Sequence, residues 1–326
     1  MTAPTAVACP VTAPAAVDGP MIAPAAAALR DRLRWRLIAA AATPVDAAGA
    51  VDPGVLARYL RGLVADGADG LAVLAHTGRG PYLDGPTRDM VVRQAVDTGV
   101  PVIVGVGGRP GERTRDVAAQ ATRAADLGAA GILVFPVADE PVAHHDALWR
   151  AAGLPMLAFD LYTRPYPLRD LTGLLAHPGV AGVKVARLHD AIACQAALAA
   201  AHRADRLAVT GEDRMFGPSL MWGAQAALVG LAAAAVPVTA AVLRSWADQE
   251  YGAFVAASAR LDRLAEVTFT EPMEGYVRRM LWIAADEARI PADHAVDRHG
   301  PELPDGDRER VLGARHPSSA PPVGSR

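Results

Sequence analysis

Lys184 is the only lysine among the 32 Lys and Arg residues of this 326-residue chain, and it lies inside VAGVKVARL (180–188). A general bias toward arginine leaves a solvated surface cation unchanged in function. It cannot replace an amine nucleophile, because a guanidinium stays protonated and delocalised. An amine flanked by Val183 and Val185 on a buried strand is poorly hydrated, and desolvation disfavours the ammonium. A neutral amine attacks a carbonyl and forms a Schiff base. The iminium then withdraws electrons, so an adjacent C–C or C–H bond can break. The competing reading is a leftover surface residue, or a buried lysine paired with an acid such as Asp160 or Asp213.

Other chemistries have weaker support. GVGGRPGE (105–112) has Pro110 at the third glycine position of a dinucleotide fingerprint and reads as the turn after a strand. His144, His145 and Asp146 read as a polar helix start rather than a metal site, and His294, Asp297 and His299 fall among turn residues. Cys9 and Cys194 are too few for a disulfide framework or a zinc cluster. No Gly-x-Ser-x-Gly elbow is present. A formal net charge of −3 argues against nucleic acid as a partner. No metal and no cofactor are expected.

The elements that must position Lys184 follow from alternation along the chain. Apolar, strand-like runs occur at 37–44, 70–77, 101–107, 131–136, 155–161, 179–186, 207–211 and 226–232. Segments that can be helical follow, such as 53–66, 87–98, 112–127 and 188–203. Eight strands buried on both faces and joined by helices predict a (β/α)8 barrel over 31–236, with a doubly wound open sheet as the alternative. Lys184 then lies near the C-terminal end of the sixth strand, where barrel enzymes place their chemistry. Beyond residue 236 the spacing predicts helices only, at 237–258, 272–288 and 305–312, forming a small C-terminal region over 237–312. The charged stretch 305–310 reads as a solvated helix face. The uncharged run 223–243 is weakly apolar, is interrupted by Pro237, and is not expected to span a membrane. Residues 1–30, rich in Ala and Pro, read as a disordered extension without a signal-peptide pattern, and 313–326 as a flexible tail.

In that order the motifs resemble the dihydrodipicolinate synthase/N-acetylneuraminate lyase family of Schiff-base aldolases. AAATPVDAAGAVD (40–52) is similar to its opening Thr-Pro segment, and GADGLAVLAHTGRG (67–80) to the segment that usually reads Gly-Thr-Thr-Gly-Glu. VPVIVGVGG (100–108) and GAAGILVFPV (128–137) resemble its third and fourth strands. LAFDLYTRP (157–165) resembles the Tyr-Asn-x-Pro-x-Arg strand, GVAGVKVA (179–186) the lysine strand, and VTGEDRMFGPSLMWGAQAALVG (209–230) the last two strands. The resemblance covers about 33–312. It implies a barrel enzyme, cytoplasmic and a dimer or tetramer, that binds a 2-keto acid such as pyruvate as an imine on Lys184. It also implies that Thr77 and Gly78 hold the keto-acid carboxylate, that Arg164 pairs with a substrate carboxylate, and that Gly211 and Leu228 line the bound keto acid.

The departures from the family pattern bear on chemistry. Phe159 stands where the family has its catalytic tyrosine, His76 replaces the first threonine, and Arg79 replaces the glutamate. After Pro136, Val137-Ala138 stand where a tyrosine is usual. An imidazole suits proton transfer near neutral pH, so His76 is the candidate substitute, with Tyr162 or Tyr166 beyond the fifth strand as others. The alternative is a noncatalytic keto-acid-binding or regulatory protein on the same barrel.

Overall fold

The computed structural model describes residues 21–315. Eight parallel strands close on themselves in chain order. They are β1 (Leu37–Ala40), β2 (Gly70–Val73), β3 (Val102–Val106), β4 (Gly131–Val134), β5 (Met156–Leu161), β6 (Val180–Ala186), β7 (Leu207–Thr210) and β8 (Ala226–Val229). The pairing of β1 with β8, Ile38 opposite Leu228, closes the barrel and excludes the open sheet. Side chains alternate between two layers. Ile38, Ile103, Leu133, Leu157, Leu207 and Leu228 fill the interior, while Val104, Val134, Val183 and Val185 pack outward under the helices.

The helices between strands are α2 (Pro53–Ala65), α3 (Gly85–Val96), α4 (Thr114–Asp126), α5 (Pro141–Ala152), α6 (Leu168–Ala176), α7 (Ala191–Arg203) and the short α8 (Phe216–Met221). Their starts are written locally. The Asp52, Asp84 and Asp190 carboxylates each accept a backbone N–H three residues on, satisfying orphan donors of the first turn. Asp190 is why α7 begins at 191 rather than at the expected 188.

Ahead of β1 lies α1 (Pro24–Leu33), inside the segment expected to be an extension. Ala26, Leu29 and Leu33 join the interior cluster at the N-terminal end of the strands and plug that end. The expectation of disorder for residues 1–20 lies outside the described residues. The C-terminal region comprises α9 (Val236–Ala247), α10 (Tyr251–Thr268), α11 (Tyr276–Asp286) and α12 (Asp307–Arg315). The single helix expected over 237–258 is two, because Gln249 adopts the left-handed conformation (φ 62°) in the turn between them. The run 223–243 is divided among β8, a 3-10 turn and α9, and among the described residues no helix is long and apolar enough to cross a membrane. The tail expected from 313 starts later, since α12 continues to Arg315; residues 316–326 lie outside the described residues.

The 305–310 stretch is not uniformly a solvated face. The Asp307 side chain is 1% exposed and accepts from Arg279 Nε at 2.7 Å, with Arg279 itself fully buried. His144 and His145, expected at a polar helix start, are buried. His144 Nδ1 lies 2.9 Å from Thr114 Oγ1 and His145 Nδ1 donates to the Pro141 carbonyl at 2.8 Å, so both serve packing.

Candidate active site

Lys184 points into the barrel mouth from β6, paired with Phe159 of β5 and Val209 of β7. It is 5% exposed. Its Nζ stands 4.3 Å from the centre of the Phe159 ring, a position that suits a cation over an aromatic face. Among the described residues no carboxylate oxygen lies within 4.0 Å of Nζ, so the expected alternative of a direct ion pair with Asp160 or Asp213 does not form. Asp160 is instead held by Arg187 (2.6 Å) and the Tyr166 N–H (2.9 Å). Asp213 accepts from the Leu231 N–H at 2.7 Å. Burial lowers the amine from the usual 10.5 to about 8, against the opposing pull of the Asp213 and Glu212 carboxyls. Glu212 is fully buried, bridges the Arg187 and Leu188 N–H groups after β6, and is raised by burial to about 7.

Gly211, at the end of β7, makes room for the lysine. A Cβ there would come within 2.6 Å of Lys184 Cε and 2.9 Å of the Val185 carbonyl oxygen. The carbonyl cannot move, so the lysine must. Because about an ångström of misplacement can lower a rate ~10²-fold, the imine chemistry expected at Lys184 from the sequence should slow by about that factor in Gly211→Ala while the barrel still folds, as read by deuterium exchange into a keto acid.

The loop after β2 is shaped by Leu74, whose φ of 58° is left-handed. Its carbonyl lies so close to Gly80 and Gly105 that a Cβ at either would overlap it, at 2.0 and 2.3 Å. Buried Arg88 ties the same loop down by donating to the Gly80 and Gly105 carbonyls at 2.6 and 3.1 Å. This presents His76 and Thr77 to the mouth and turns Arg79 outward from it.

Arg79 meets the C-terminal region. It donates to Glu274 Oε2 and Asp297 Oδ2, both at 2.8 Å. Asp297, expected among turn residues, is therefore a buried anchor for this arginine. Glu274 in turn lies 3.3 Å from His76 Nε2 and accepts a hydrogen bond from the Tyr162 hydroxyl. The Tyr276 hydroxyl sits 3.0 Å from Thr77 Oγ1 and 3.4 Å from His76 Nδ1. Burial pushes His76 down to about 4, with Glu274 pulling the other way, so the ring is neutral near pH 7. Burial works to raise the Glu274 carboxyl, but His76, the Tyr162 hydroxyl and Arg79 together hold it below its ordinary range.

The cavity so formed is narrow, with about 20 Å³ of free volume. Of the residues expected from sequence, Lys184, His76, Thr77, Phe159, Tyr162 and Gly211 all line it. Gly78, Leu228 and Arg164 do not. Gly78 faces inward to backbone and accepts from Thr43 Oγ1 at 2.8 Å. Leu228 is packed in the barrel interior. Arg164 is exposed and lines a neighbouring cleft with Gly108, Phe135 and Val137. Tyr166 is buried against Asp160 and Arg187, away from the amine. Sequence reasoning named Asp213 only as a possible ion-pair partner, and missed Phe269, Met273 and Tyr276 of the C-terminal region in the cavity wall and Glu274 behind His76 and Tyr162. The one available signal was Arg79, a cation in a buried loop that must find carboxylates; the sequence did not say which.

An eight-stranded parallel barrel with a desolvated amine at its C-terminal mouth places the chain among barrel enzymes of the aldolase type. The chain belongs to the dihydrodipicolinate synthetase family, whose family model matches residues 34–291. A 4-hydroxy-tetrahydrodipicolinate synthase from Acidiphilium cryptum (strain JF-5) is 26% identical over 275 residues, covering 78% of this chain and 90% of that protein. Among solved structures, N-acetylneuraminate lyase from Mycoplasma synoviae superposes with a TM-score of 0.72 at 18% identity, over 88% of this chain and 97% of that one. YagE from E. coli K12, solved in complex with pyruvate, gives 0.76 at 19% identity, over 86% and 97%. At these identities the two structures share the fold, and family membership makes the chain an enzyme of the lyase and synthase type.

Proposed function

We propose that this enzyme acts on a 2-keto acid, pyruvate-like or sugar-derived, through a Schiff base on Lys184. The observation that carries this reading is the desolvated amine, held over Phe159 with no carboxylate against it. Attack of neutral Nζ on the ketone carbon gives a carbinolamine. Loss of water gives the iminium, and loss of a proton or a carbon fragment from the neighbouring carbon gives the enamine. Aldol addition, retro-aldol cleavage and dehydration share that intermediate. The proton relay is non-standard, with Phe159 in place of a hydroxyl and His76 taking its part. The Thr77 backbone N–H and Arg164, the latter from the neighbouring cleft, are the proposed carboxylate contacts. The family resemblance also supports a cytoplasmic homo-oligomer.

The test is borohydride reduction in the presence of a panel of keto acids, followed by intact-protein and peptide mass spectrometry. A covalent increment confined to the Lys184 peptide is the expected result; its absence with every keto acid overturns the reading. The rate of adduct formation should rise with pH through about 8, where the amine loses its proton, and level off above. An ordinary lysine would keep rising toward 10.5. Asp213→Asn removes a charge that favours the ammonium, so the midpoint is expected to move to lower pH. The second reading, a keto-acid binder without turnover, is favoured by Phe159 alone. Solvent deuterium entering the carbon next to the keto group separates the two, since exchange requires the enamine.

A further inference from the structure

We propose that the Tyr276 hydroxyl, delivered by the C-terminal region rather than by a barrel strand, is the proton carrier for imine formation at Lys184, backed by His76 and Glu274. The inference rests on the Schiff-base reading above and extends it to a residue outside the barrel. On β5 the residue facing the amine is Phe159, whose ring holds no exchangeable proton. Tyr276 opens α11 and lines the same cavity as Lys184. Its ring is wedged in place. Phe269 stacks on one face with centroids 4.7 Å apart. On another side Gly230 lets it approach Asp213, because a Cβ at Gly230 would meet Tyr276 Cε2 at 3.0 Å and Asp213 Oδ2 at 3.3 Å.

The direction of the hydrogen bonds follows from the carboxylate. Ionised Glu274 can only accept, so His76 Nε2, 3.3 Å away, carries the ring proton and points it there. His76 Nδ1 is then a lone-pair acceptor, and the Tyr276 hydroxyl 3.4 Å away is the donor that faces it. The tyrosine oxygen accepts from Thr77 Oγ1 at 3.0 Å. Carboxylate, imidazole and hydroxyl thus stand in the order that makes a hydroxyl a proton shuttle. Tyr162 cannot serve instead, because its hydroxyl is spent on Glu274. Arg79 and Asp297 are positioning residues that hold Glu274 in place.

Nζ bonds to the ketone carbon, and the C=O π pair moves to oxygen. One proton leaves the new ammonium through Tyr276 and reaches that oxygen. A second proton comes from solvent through His76, the C–O bond breaks, and water departs. One amine, one ketone and one proton give one iminium and one water.

The experiment measures the rate and the final extent of the borohydride-trapped pyruvate adduct in wild type, Tyr276→Phe and His76→Gln, with circular dichroism to confirm folding. Loss of a general acid–base group predicts an adduct rate about 10²-fold lower in each variant. The half-saturating pyruvate concentration and the final adduct yield should stay near wild type, which a collapsed cavity would not allow. If either variant folds and forms adduct at the wild-type rate, the relay is wrong while the Lys184 chemistry stands. A wild-type protein that traps no keto acid overturns both. Should Tyr276→Phe not fold, His76→Gln decides alone, since Nδ1 is the acceptor the relay requires.

Discussion

Lys184→Ala is expected to abolish the borohydride-trapped adduct and to lower deuterium exchange into pyruvate by about 10⁴-fold or more, which corresponds to roughly 5 kcal/mol of barrier. The reason is chemical. Without the amine no iminium forms, and among the described residues no other primary amine lines the cavity. His76 is turned to Glu274 and Tyr276. Arg79 is locked to two carboxylates. Lys184→Arg should be as inactive as the alanine variant, because a guanidinium stays protonated at any working pH. Activity that survived either substitution, measured by exchange at saturating pyruvate, would mean that the chemistry does not run through this lysine. The fold should tolerate the alanine well, since a desolvated amine without a paired carboxylate contributes little to stability. Thermal unfolding of the variant at or above the wild-type temperature is therefore part of the expected result.

Asp307→Ala should destabilise the protein by about 3–5 kcal/mol, the loss that follows when one partner of a buried ion pair is removed. Arg279 is fully buried, and Asp307 is the carboxylate that holds it. The same guanidinium donates to the Thr270 carbonyl at 2.7 Å and to the Thr268, Glu271 and Pro272 carbonyls at 3.2–3.3 Å. Those residues lead directly into Met273, Glu274 and Tyr276 at the mouth. Loosening Arg279 should therefore also slow the proposed imine formation, although neither member of the pair lines the cavity. Urea unfolding of the variant checks the first effect and exchange kinetics the second. The double variant Arg279→Met/Asp307→Leu should recover part of the stability, since no buried charge is left unpaired. It should not recover all of it, because four carbonyls lose their donor.

Much of this was legible in one dimension. Eight apolar runs, spaced by helices that begin at Asp52, Asp84 and Asp190, specify parallel strands and their order. A lone lysine retained against an arginine bias marks the proposed nucleophile, because no guanidinium can substitute for a neutral amine. What failed to show were long-range partners. Arg164 aligns with a carboxylate-binding arginine, yet no spacing along the chain shows that it reaches the site from the neighbouring cleft beside Phe135 rather than from the cavity wall. Asp307 read as one charge on a wet helix and proved to be the buried counterion of Arg279.

The sequence by itself determined the barrel and the amine, since both rest on local periodicity and on the chemistry of a single side chain. Only the tertiary structure decided what surrounds the amine. It brought Glu274 and Tyr276 beside His76 and Thr77, across separations of 198 and 199 positions. Such pairings depend on how a distant segment folds back over the mouth, and no spacing along the chain encodes that.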